Sequence, residues 1–490
     1  MDRLQAIERL FAPRSVAIVG ASRTIGKWGF TFALHLTQGG YKGAVYPVNP
    51  AGGRLLDHKI YRSLEELPGP VDLAFILIPP EQVAGAVKEC GRIGVPVAVV
   101  ITAGFKEIGA EGRAMELEVV QAAEEAGVAL VGPNCAGVTS PEPMRLYCMM
   151  QPTFPPAGGI AIVSQSGNLI GSIQHMLWKQ DLGVSRSVSV GNQALLQVED
   201  FLEYLITDDK TRVVVTYIEG VSSGPRFMDV ARRLCRVKPL LVIKGGQTES
   251  GVRAAKSHTG AIAGSGAVFQ ALCRQVGAIL VDDVEDMLDT AVALMAQPLP
   301  RGNRVGIVAN GGGWGVLIAD ACVKAGLNVV ELPEEVLSAL DERLPAWWNR
   351  QNPVDLVAGM SRGAFFKSME ILLRAEVIDS LIALGFGYAH GNAHVFDGLT
   401  DEDLPGVSEY KAGTLYSDQR GMKFVLDLIR DYKKPVLLSS EFIVGADRDR
   451  NEPVLTLRKQ NLLIYPSSRR TAQVLARLTR YGAWRMAQEA

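Results

Sequence analysis

The chain of 490 residues lacks an excess of charge of either sign, because 50 basic residues stand against 52 acidic ones. This balance gives no electrostatic reason to expect a nucleic-acid partner. The chain also lacks an apolar run long enough for a transmembrane helix, and its amphipathic start, residues 1–10, lacks the apolar core of a signal peptide. We therefore expect a cytoplasmic protein that binds neither nucleic acid nor membrane.

Cysteine is scarce, with 6 residues, no Cys-x-x-Cys pair and no Cys/His cluster at metal-ligand spacing. Reduced, buried thiols are the simplest expectation. His390 and His394 are spaced like helical metal ligands, but Gly391 between them disfavours a helix and no third ligand is evident. No metal site is predicted.

The chain is rich in short aliphatic runs that alternate with helical segments, a pattern typical of parallel sheets covered by helices on both faces. Proline- and glycine-rich segments at 151–159 and 297–303 read as linkers between repeats of this pattern. The predicted fold class is α/β, with three consecutive doubly wound domains at 1–150, 151–298 and 299–490. Strands are predicted at residues 15–20, 44–48, 73–78, 97–101, 129–131, 160–164, 187–190, 213–218, 240–243, near 279 and at 304–309.

The turn after the first predicted strand, residues 20–26, could hold an anion on backbone N–H groups at a helix start. It is similar to a dinucleotide fingerprint but has Ser22 in place of the second glycine. The second strand is followed by Asn49 and not by the acid that bonds a NAD ribose. A nicotinamide cofactor is therefore disfavoured, coenzyme A fits better, and a tight turn without a ligand remains the alternative.

Two later turns are also rich in small residues. Ser164, Ser166 and Gly167 stand at a predicted helix start, where hydroxyls either cap the helix or bind phosphate. The segment 310–315 has four glycines in six residues. Such a cost in backbone entropy makes sense where a ligand approaches the backbone closely.

One histidine and one acid stand out. His258 lies among small residues in a segment suited to expose an imidazole, which can form a covalent phosphoryl intermediate. Glu219 stands at the carboxyl end of a predicted strand, where a carboxylate could hold one imidazole nitrogen and leave the other to react. The alternatives are a solvated loop histidine and a solvated acid at a strand end.

Together these motifs resemble the NDP-forming acyl-CoA synthetases, which include ADP-forming acetate–CoA ligase and succinyl-CoA synthetase. The resemblance covers nearly the whole chain and implies a Rossmann-like CoA-binding domain followed by two flavodoxin-like domains. The matching segments are residues 20–22, 47–50, 78–80, 102–105, 132–135, 164–167, 191–192, 217–220, 257–261, 310–315 and 352–356.

The resemblance implies an acid–thiol ligase that interconverts acyl-CoA, phosphate and a nucleoside diphosphate with a carboxylic acid, CoA and a nucleoside triphosphate. His258 would carry the phosphoryl group and Glu219 would steady it. The residues implied to hold CoA and phosphate are Gly20, Ser22, Arg23, Asn49, Pro79, Ser164, Ser166, Gly167, Gly311, Gly312 and Gly313.

Two departures from the family pattern bear on function. The ATP-grasp portion is missing, so the chain resembles the alpha-type subunit of a hetero-oligomer, and a beta-type subunit is expected to bring the nucleotide and Mg²⁺. Relatives also continue after residues 191–192 with lysine, alanine and an acidic pair, where this chain has Gln193, Leu195 and Gln197. The alternative function is a non-catalytic CoA-binding or regulatory protein on the same fold.

Overall fold

The protein divides into two compact units, residues 1–287 and 288–490. The predicted phosphohistidine, His258, lies outside the described residues. The computed structural model describes residues 2–253, 266–356, 362–386, 394–441 and 452–489.

The first sheet of unit 1 has five parallel strands in its described part, in the order β2-β1-β5-β6-β7, and a small antiparallel hairpin, β3-β4, lies beside it. The aliphatic side chains of the parallel strands are buried between helices, as the predicted doubly wound fold requires. The strands are β1 (Ser15–Val19), β2 (Ala44–Val48), β3 (Gly53–Leu55), β4 (His58–Ile60), β5 (Leu73–Ile76), β6 (Val97–Val100) and β7 (Ala129–Val131). The helices are α1 (Arg3–Phe11), α2 (Trp28–Gly39), α3 (Pro80–Arg92) and α4 (Ala110–Ala126).

The second sheet of unit 1 has seven described strands in the order β14-β13-β12-β10-β11-β8-β9. Strands β10 to β14 pair in parallel, and β8-β9 is an antiparallel hairpin on the edge of β11. The strands are β8 (Gly137–Ser140), β9 (Leu146–Met149), β10 (Ala157–Ser164), β11 (Val184–Ser189), β12 (Val213–Ile218), β13 (Leu240–Lys244) and β14 (Ile279–Val281). The helices are α5 (Gly167–Lys179), α6 (Val198–Thr207), α7 (Gly224–Val237), α8 (Gly266–Val276) and α9 (Val284–Ala296), which runs across the limit between the units.

The linker predicted at 151–159 is too long, because β10 already begins at Ala157. Gly158 was counted as a linker glycine. Its role is structural, since a Cβ there would overlap the backbone of Gly183 as β10 and β11 approach each other. The glycine permits the close approach of two strands and does not mark a flexible segment.

Unit 2 has a six-stranded parallel sheet in its described part, with the order β16-β15-β18-β19-β20 and with β17 paired to β15. Together with the two sheets of unit 1, it confirms the predicted fold class; the domain limits at 150 and 298 stay predictions. The strands are β15 (Arg304–Ala309), β16 (Asn328–Val329), β17 (Val354–Asp355), β18 (Ser380–Leu384), β19 (Val436–Ser439) and β20 (Ile464–Tyr465). The helices are α10 (Gly312–Lys324), α11 (Glu334–Asp341), α12 (Arg362–Arg374), α13 (Val407–Tyr432), α14 (Glu452–Lys459) and α15 (Ser468–Glu489).

The cysteines are all buried and none is in a disulfide, as expected from their scatter along the chain. Burial raises the pKa of the Cys90 and Cys135 thiols to about 12, so both are protonated and unreactive at neutral pH. Among the helices within the described ranges, none combines the length and the apolar character that crossing a bilayer requires.

Candidate active site

A cavity of about 550 Å³ in unit 1 is lined by residues that directly follow strands of both sheets. Gly20 follows β1 and Leu77 follows β5 in the first sheet, while Gln165 follows β10 in the second. The cavity therefore lies at the carboxyl ends of the strands, where doubly wound sheets bind ligands. Its volume is within the range of about 300–1,000 Å³ typical of small-molecule sites.

The glycine turn after β1 packs closely against the start of α2. Gly20 has φ +95°, and a Cβ there would overlap the carbonyl of Leu77. A Cβ at Gly29 would overlap the carbonyl of Gly20. Glycine at both positions thus lets the turn and the helix start approach each other and leaves backbone exposed to the cavity.

Of the residues predicted in the first domain, Gly20 and Ser22 line the cavity, whereas in the described part of the chain Arg23, Asn49 and Pro79 do not. The Asn49 amide donates to the carbonyl of Ala21 at 2.8 Å. Asn49 therefore holds the turn itself, which gives a structural reason for an amide at a position where a NAD-binding domain would carry an acid. Pro79 caps α3 and Arg23 is exposed.

The serine turn after β10 caps its helix, and it also lines the cavity. Ser166 is the N-cap of α5, and its hydroxyl accepts the N–H of Leu169 at 3.3 Å. The Ser164 hydroxyl accepts the N–H of Ser166 at 3.1 Å. Ser166 and Gly167 lie on the cavity wall, so the partial positive charge of the first turn of α5 is available to an anion there.

Glu219 directly follows β12, which is paired to β10, and it is 5% exposed. The hydroxyl of Tyr217 donates to Glu219 Oε1 at 3.3 Å. Burial and the charge of Glu219 raise the pKa of Tyr217 to about 12, so the phenol keeps its proton at neutral pH and serves as a donor. The Glu219 carboxylate is therefore oriented by a side chain of β12, the strand that it follows.

Lys244, the last residue of β13, is buried beside Glu219. Its ammonium donates to the carbonyl of Glu219 at 2.8 Å and to the carbonyl of Gly245. Burial lowers the pKa of Lys244, and the charge of Glu219 opposes this shift. The lysine thus joins the ends of β12 and β13 at the point from which the chain continues toward His258.

Three residues make up the second departure from the family pattern, Gln193, Leu195 and Gln197. In the described part of the chain none of them lines the cavity. The side-chain oxygen of Gln193 accepts the N–H of Val198 at 3.1 Å, and Leu195 packs against the core of the first sheet. Gln197 is the N-cap of α6, where its side chain accepts a first-turn N–H. These residues therefore hold local structure.

The third glycine turn lies in unit 2, between β15 and α10. Gly311 is the N-cap of α10, and a Cβ at Gly312 would lie 2.7 Å from Asp355 Oδ2. A Cβ at Gly313 would meet no atom of the described residues within 4 Å. This turn therefore combines a close contact to a carboxylate with an open helix start.

The cavity wall includes residues that were not among the sequence candidates, among them Lys27, Trp28 and Met150. Trp28 is 46% exposed and directly follows the glycine turn, but its exposure is a property of the fold that the sequence did not report. Met150 follows β9, which the sequence did not predict, so no local pattern pointed to it.

Three family models match the chain in succession. Residues 14–141 match a CoA binding domain, and residues 157–294 match a succinyl-CoA ligase like flavodoxin domain. Residues 305–401 match a ligase-CoA domain.

Known proteins match over most of the chain. The ADP-forming acetate–CoA ligase I of Archaeoglobus fulgidus is 42% identical over 77% of this chain, which spans only 54% of that protein. The alpha subunit of the ADP-forming acetate–CoA ligase I of Pyrococcus furiosus is 35% identical, with 98% of both chains covered. The structure of dinucleotide forming acetyl-coenzyme A synthetase 1 of Ca. Korarchaeum cryptofilum, in complex with phosphate and ADP, is 33% identical, covers 99% of both chains and superimposes with a TM-score of 0.83. The chain belongs to the NDP-forming acyl-CoA synthetases, a family of CoA ligases, and corresponds to their alpha-type subunit.

Proposed function

We propose that the chain catalyses the acyl-transfer and histidine-phosphorylation steps of an NDP-forming acyl-CoA synthetase. The overall reaction converts acyl-CoA, phosphate and NDP into a carboxylic acid, CoA and NTP, and it is reversible. One observation carries the proposal: the glycine turn of the first sheet and the serine turn of the second line one cavity, and Gln165 of the serine turn binds the backbone of Glu219.

The part of the cavity formed by the first sheet suits coenzyme A. The exposed backbone at Gly20 and the ammonium of Lys27 are groups that attract phosphates, and Trp28 offers an aromatic surface. The thiol of CoA forms the thioester with the acyl group and is the leaving group when the thioester is cleaved. In this proposal Ser22 and Arg23 bind CoA from the turn, while Asn49 and Pro79 act by holding the turn and the start of α3.

The serine turn is proposed to hold inorganic phosphate at the start of α5. A phosphate oxygen attacks the thioester carbonyl carbon, the C–S bond breaks, and the CoA sulfur leaves with a proton from phosphate. The product is an acyl phosphate. Its charge is favoured at a helix start, where Ser166 and Gly167 line the cavity.

In the next step a nitrogen of His258 attacks phosphorus, the bond from phosphorus to the carboxylate oxygen breaks, and the acid is released. Glu219 is proposed to accept the N–H of the other ring nitrogen and so to favour the reactive tautomer. The hydrogen bond from Tyr217 orients the Glu219 carboxylate, and the Lys244 ammonium holds the main-chain carbonyl of Glu219 at the strand end.

The phosphoryl group must then reach a nucleoside diphosphate. We propose that the turn Gly311–Gly313 holds it at the start of α10 during this step, and that a beta-type subunit with an ATP-grasp domain supplies the nucleotide and Mg²⁺. This assignment rests on the family resemblance, and it makes the active protein a hetero-oligomer.

The test is the intact mass of the purified chain after incubation with a panel of acyl-CoAs and inorganic phosphate, beside His258→Ala. The expected result is an acid-labile gain of one phosphoryl group with one class of acyl-CoA, absent in the variant. Adding a beta-type subunit and ADP should remove the gain and yield ATP. If CoA binds but no acyl-CoA gives the gain, even with the beta-type subunit present, the chain is a non-catalytic CoA-binding protein and the proposal is wrong.

A further inference from the structure

We propose that Gln165 is a positioning residue for Glu219, whose side-chain amide fixes the carboxylate beside the cavity and thereby sets the rate of phosphoryl transfer. This inference rests on the proposed role of Glu219. It concerns a residue that lies between the two serines of the turn and that carries no assigned role.

The Gln165 side-chain amide makes three hydrogen bonds with the segment that carries Glu219. Its carbonyl oxygen accepts the N–H of Glu219 at 2.6 Å and the N–H of Gly220 at 3.2 Å. Its NH₂ group donates to the carbonyl of Gly220 at 2.7 Å. The main-chain N–H of Gln165 also donates to the carbonyl of Tyr217 at 3.2 Å.

These hydrogen bonds take the place of strand pairing beyond the end of β10. In the parallel pairing of β10 and β12, Ser164 is opposite Tyr217, and β10 stops there. The backbone of Glu219 and Gly220 therefore extends beyond the ladder, and the side chain of Gln165 supplies the donors and acceptors that a strand would supply. Because Glu219 is only 5% exposed, these backbone groups need such partners.

Gln165 also faces the substrate space. It is 9% exposed and is part of the cavity wall formed by the serine turn. One residue thus contacts both the cavity and the backbone of the proposed histidine partner. A shift of the phosphate-binding turn is transmitted to Glu219 through three hydrogen bonds and needs no change in the core.

The chemistry at this position requires an amide. Leucine has similar volume but offers no hydrogen bond, so Gln165→Leu leaves the backbone of residues 219–220 unpaired on this side. Glutamate keeps an acceptor for the two N–H groups but loses the donor to the carbonyl of Gly220. Gln165→Glu should therefore also slow the reaction, because it faces an oxygen toward the carbonyl of Gly220 and adds a negative charge to the wall of the phosphate site.

The test is a double-mutant cycle of Gln165→Leu and Glu219→Gln, measured as the rate of phosphohistidine formation with the acyl-CoA that gives the largest phosphoryl gain. Glu219→Gln should slow the reaction roughly 100-fold. Gln165→Leu should slow it about 10- to 100-fold, because a small displacement of a reacting group is costly. The double variant should be no slower than Glu219→Gln within about twofold, since both changes disable one group.

Gln174→Leu is the matched control. Gln174 is fully buried in α5, makes three side-chain hydrogen bonds with Thr139, Thr153 and Ser187, and is not among the described residues of the cavity wall. It should lower stability and leave the rate of phosphohistidine formation near that of the wild type. Calorimetric titration of every variant with CoA, with wild-type-like binding expected, verifies that the cavity is intact.

The outcomes separate the inference from the proposed function. A wild-type rate for Glu219→Gln would remove the proposed role of Glu219. A strong effect of Glu219→Gln with a wild-type rate for Gln165→Leu, or with multiplicative losses in the double variant, would overturn the inference alone. Loss of CoA binding in both Gln165 variants would also overturn it, because Gln165 would then be a general support of the cavity.

Discussion

The side-chain amide of Asn192 donates a hydrogen bond of 2.7 Å to Glu116, and this contact joins the two sheets of unit 1. Asn192 follows β11 of the second sheet, whereas Glu116 lies in α4 beside the first. The same amide donates to Glu107 at 2.7 Å, and the Lys106 ammonium donates to the carbonyl of Asn192. A single residue of the cavity wall thus satisfies two carboxylates of the neighbouring domain.

Replacement of this amide should destabilise unit 1. Asn192→Ala removes two hydrogen bonds to carboxylates, and we expect a loss of about 3 kcal/mol in the free energy of unfolding, because such bonds contribute roughly 1.5–3 kcal/mol each. Urea denaturation followed by circular dichroism measures it. Asn328→Ala, at an exposed position of β16, is the control and should change stability by less than about 0.5 kcal/mol. Equal stability of the two variants would contradict the assigned role.

A buried acid near this joint predicts a pH-dependent stability. Glu199, at the start of α6, is 1% exposed, and burial raises its pKa, only partly offset by its own backbone N–H and by the charge of Arg226. The pKa of Glu199 is higher in the folded state than in the unfolded state. At a pH below the unfolded-state pKa, Glu199 is protonated in both states and does not lower the free energy of unfolding. It lowers stability as the pH rises from the unfolded toward the folded pKa.

Glu199→Gln should therefore raise the free energy of unfolding at pH 7 and should have little effect near pH 4, where Glu199 is largely protonated in both states. Denaturant unfolding at a series of pH values measures the difference. Glu118→Gln, an exposed change on α4, provides the control and should show no such trend. A stabilisation that is the same at both pH values would speak against ionisation as its cause.

Alanine at Gly245, beside Glu219, should slow phosphohistidine formation, and a second substitution should restore the rate. A Cβ at Gly245 would lie 2.5 Å from the Tyr217 hydroxyl oxygen and 3.4 Å from Glu219 Cγ. Gly245→Ala should therefore displace the Tyr217 hydroxyl, disturb its hydrogen bond to Glu219 and slow phosphohistidine formation about 10-fold. Adding Tyr217→Phe removes the closest atom and should recover most of the rate, with Tyr217→Phe alone as the reference. A double variant no faster than Gly245→Ala would show that the alanine acts elsewhere.

Alanine substitution of two helical glycines, Gly29 in α2 and Gly85 in α3, should change stability in opposite directions. Gly29→Ala places a Cβ on the carbonyl of Gly20, and we expect it to cost about 2–3 kcal/mol of stability and to weaken CoA binding. Gly85→Ala, in α3, meets no described atom within 4 Å and should stabilise by up to about 1 kcal/mol, because alanine favours helix more than glycine does. Thermal unfolding and calorimetric titration with CoA measure both effects. A Gly29→Ala variant that binds CoA like the wild type would contradict the close packing of turn and helix.

The sequence was informative wherever a structural unit is encoded locally. The strands β2, β7, β12 and β15 have the predicted limits, because each is a short, mainly apolar run that ends before a polar residue or a glycine. The hairpin β8-β9 was missed, because its strands are four residues each and flank prolines and polar residues. Its strand character comes from pairing with β11, which is a tertiary contact.

The candidate site shows the same division. The three turns and Glu219 could be chosen from the sequence. Glycine and serine at a helix start can bind an anion, and a carboxylate at a strand end can bind an imidazole. The hydrogen bonds between Gln165 and Glu219 could not be chosen. They depend on the register of β10 and β12, which places Ser164 opposite Tyr217. They also depend on β10 ending at Ser164, whereas β12 continues for one further residue to Ile218. No pattern within either segment reports that register.

The hairpin β8-β9 has a consequence for how this protein can be divided. Only a short connection separates the last strand of the first sheet, β7, from the first strand contributed to the second, β8. A fragment that ends at residue 150 would carry away two strands of its neighbour's sheet. The remainder would expose the edge of β11, with backbone groups open to pairing with other chains. The hairpin therefore ties the two sheets of unit 1 together, and a division at residue 150 separates strands that pair in one sheet.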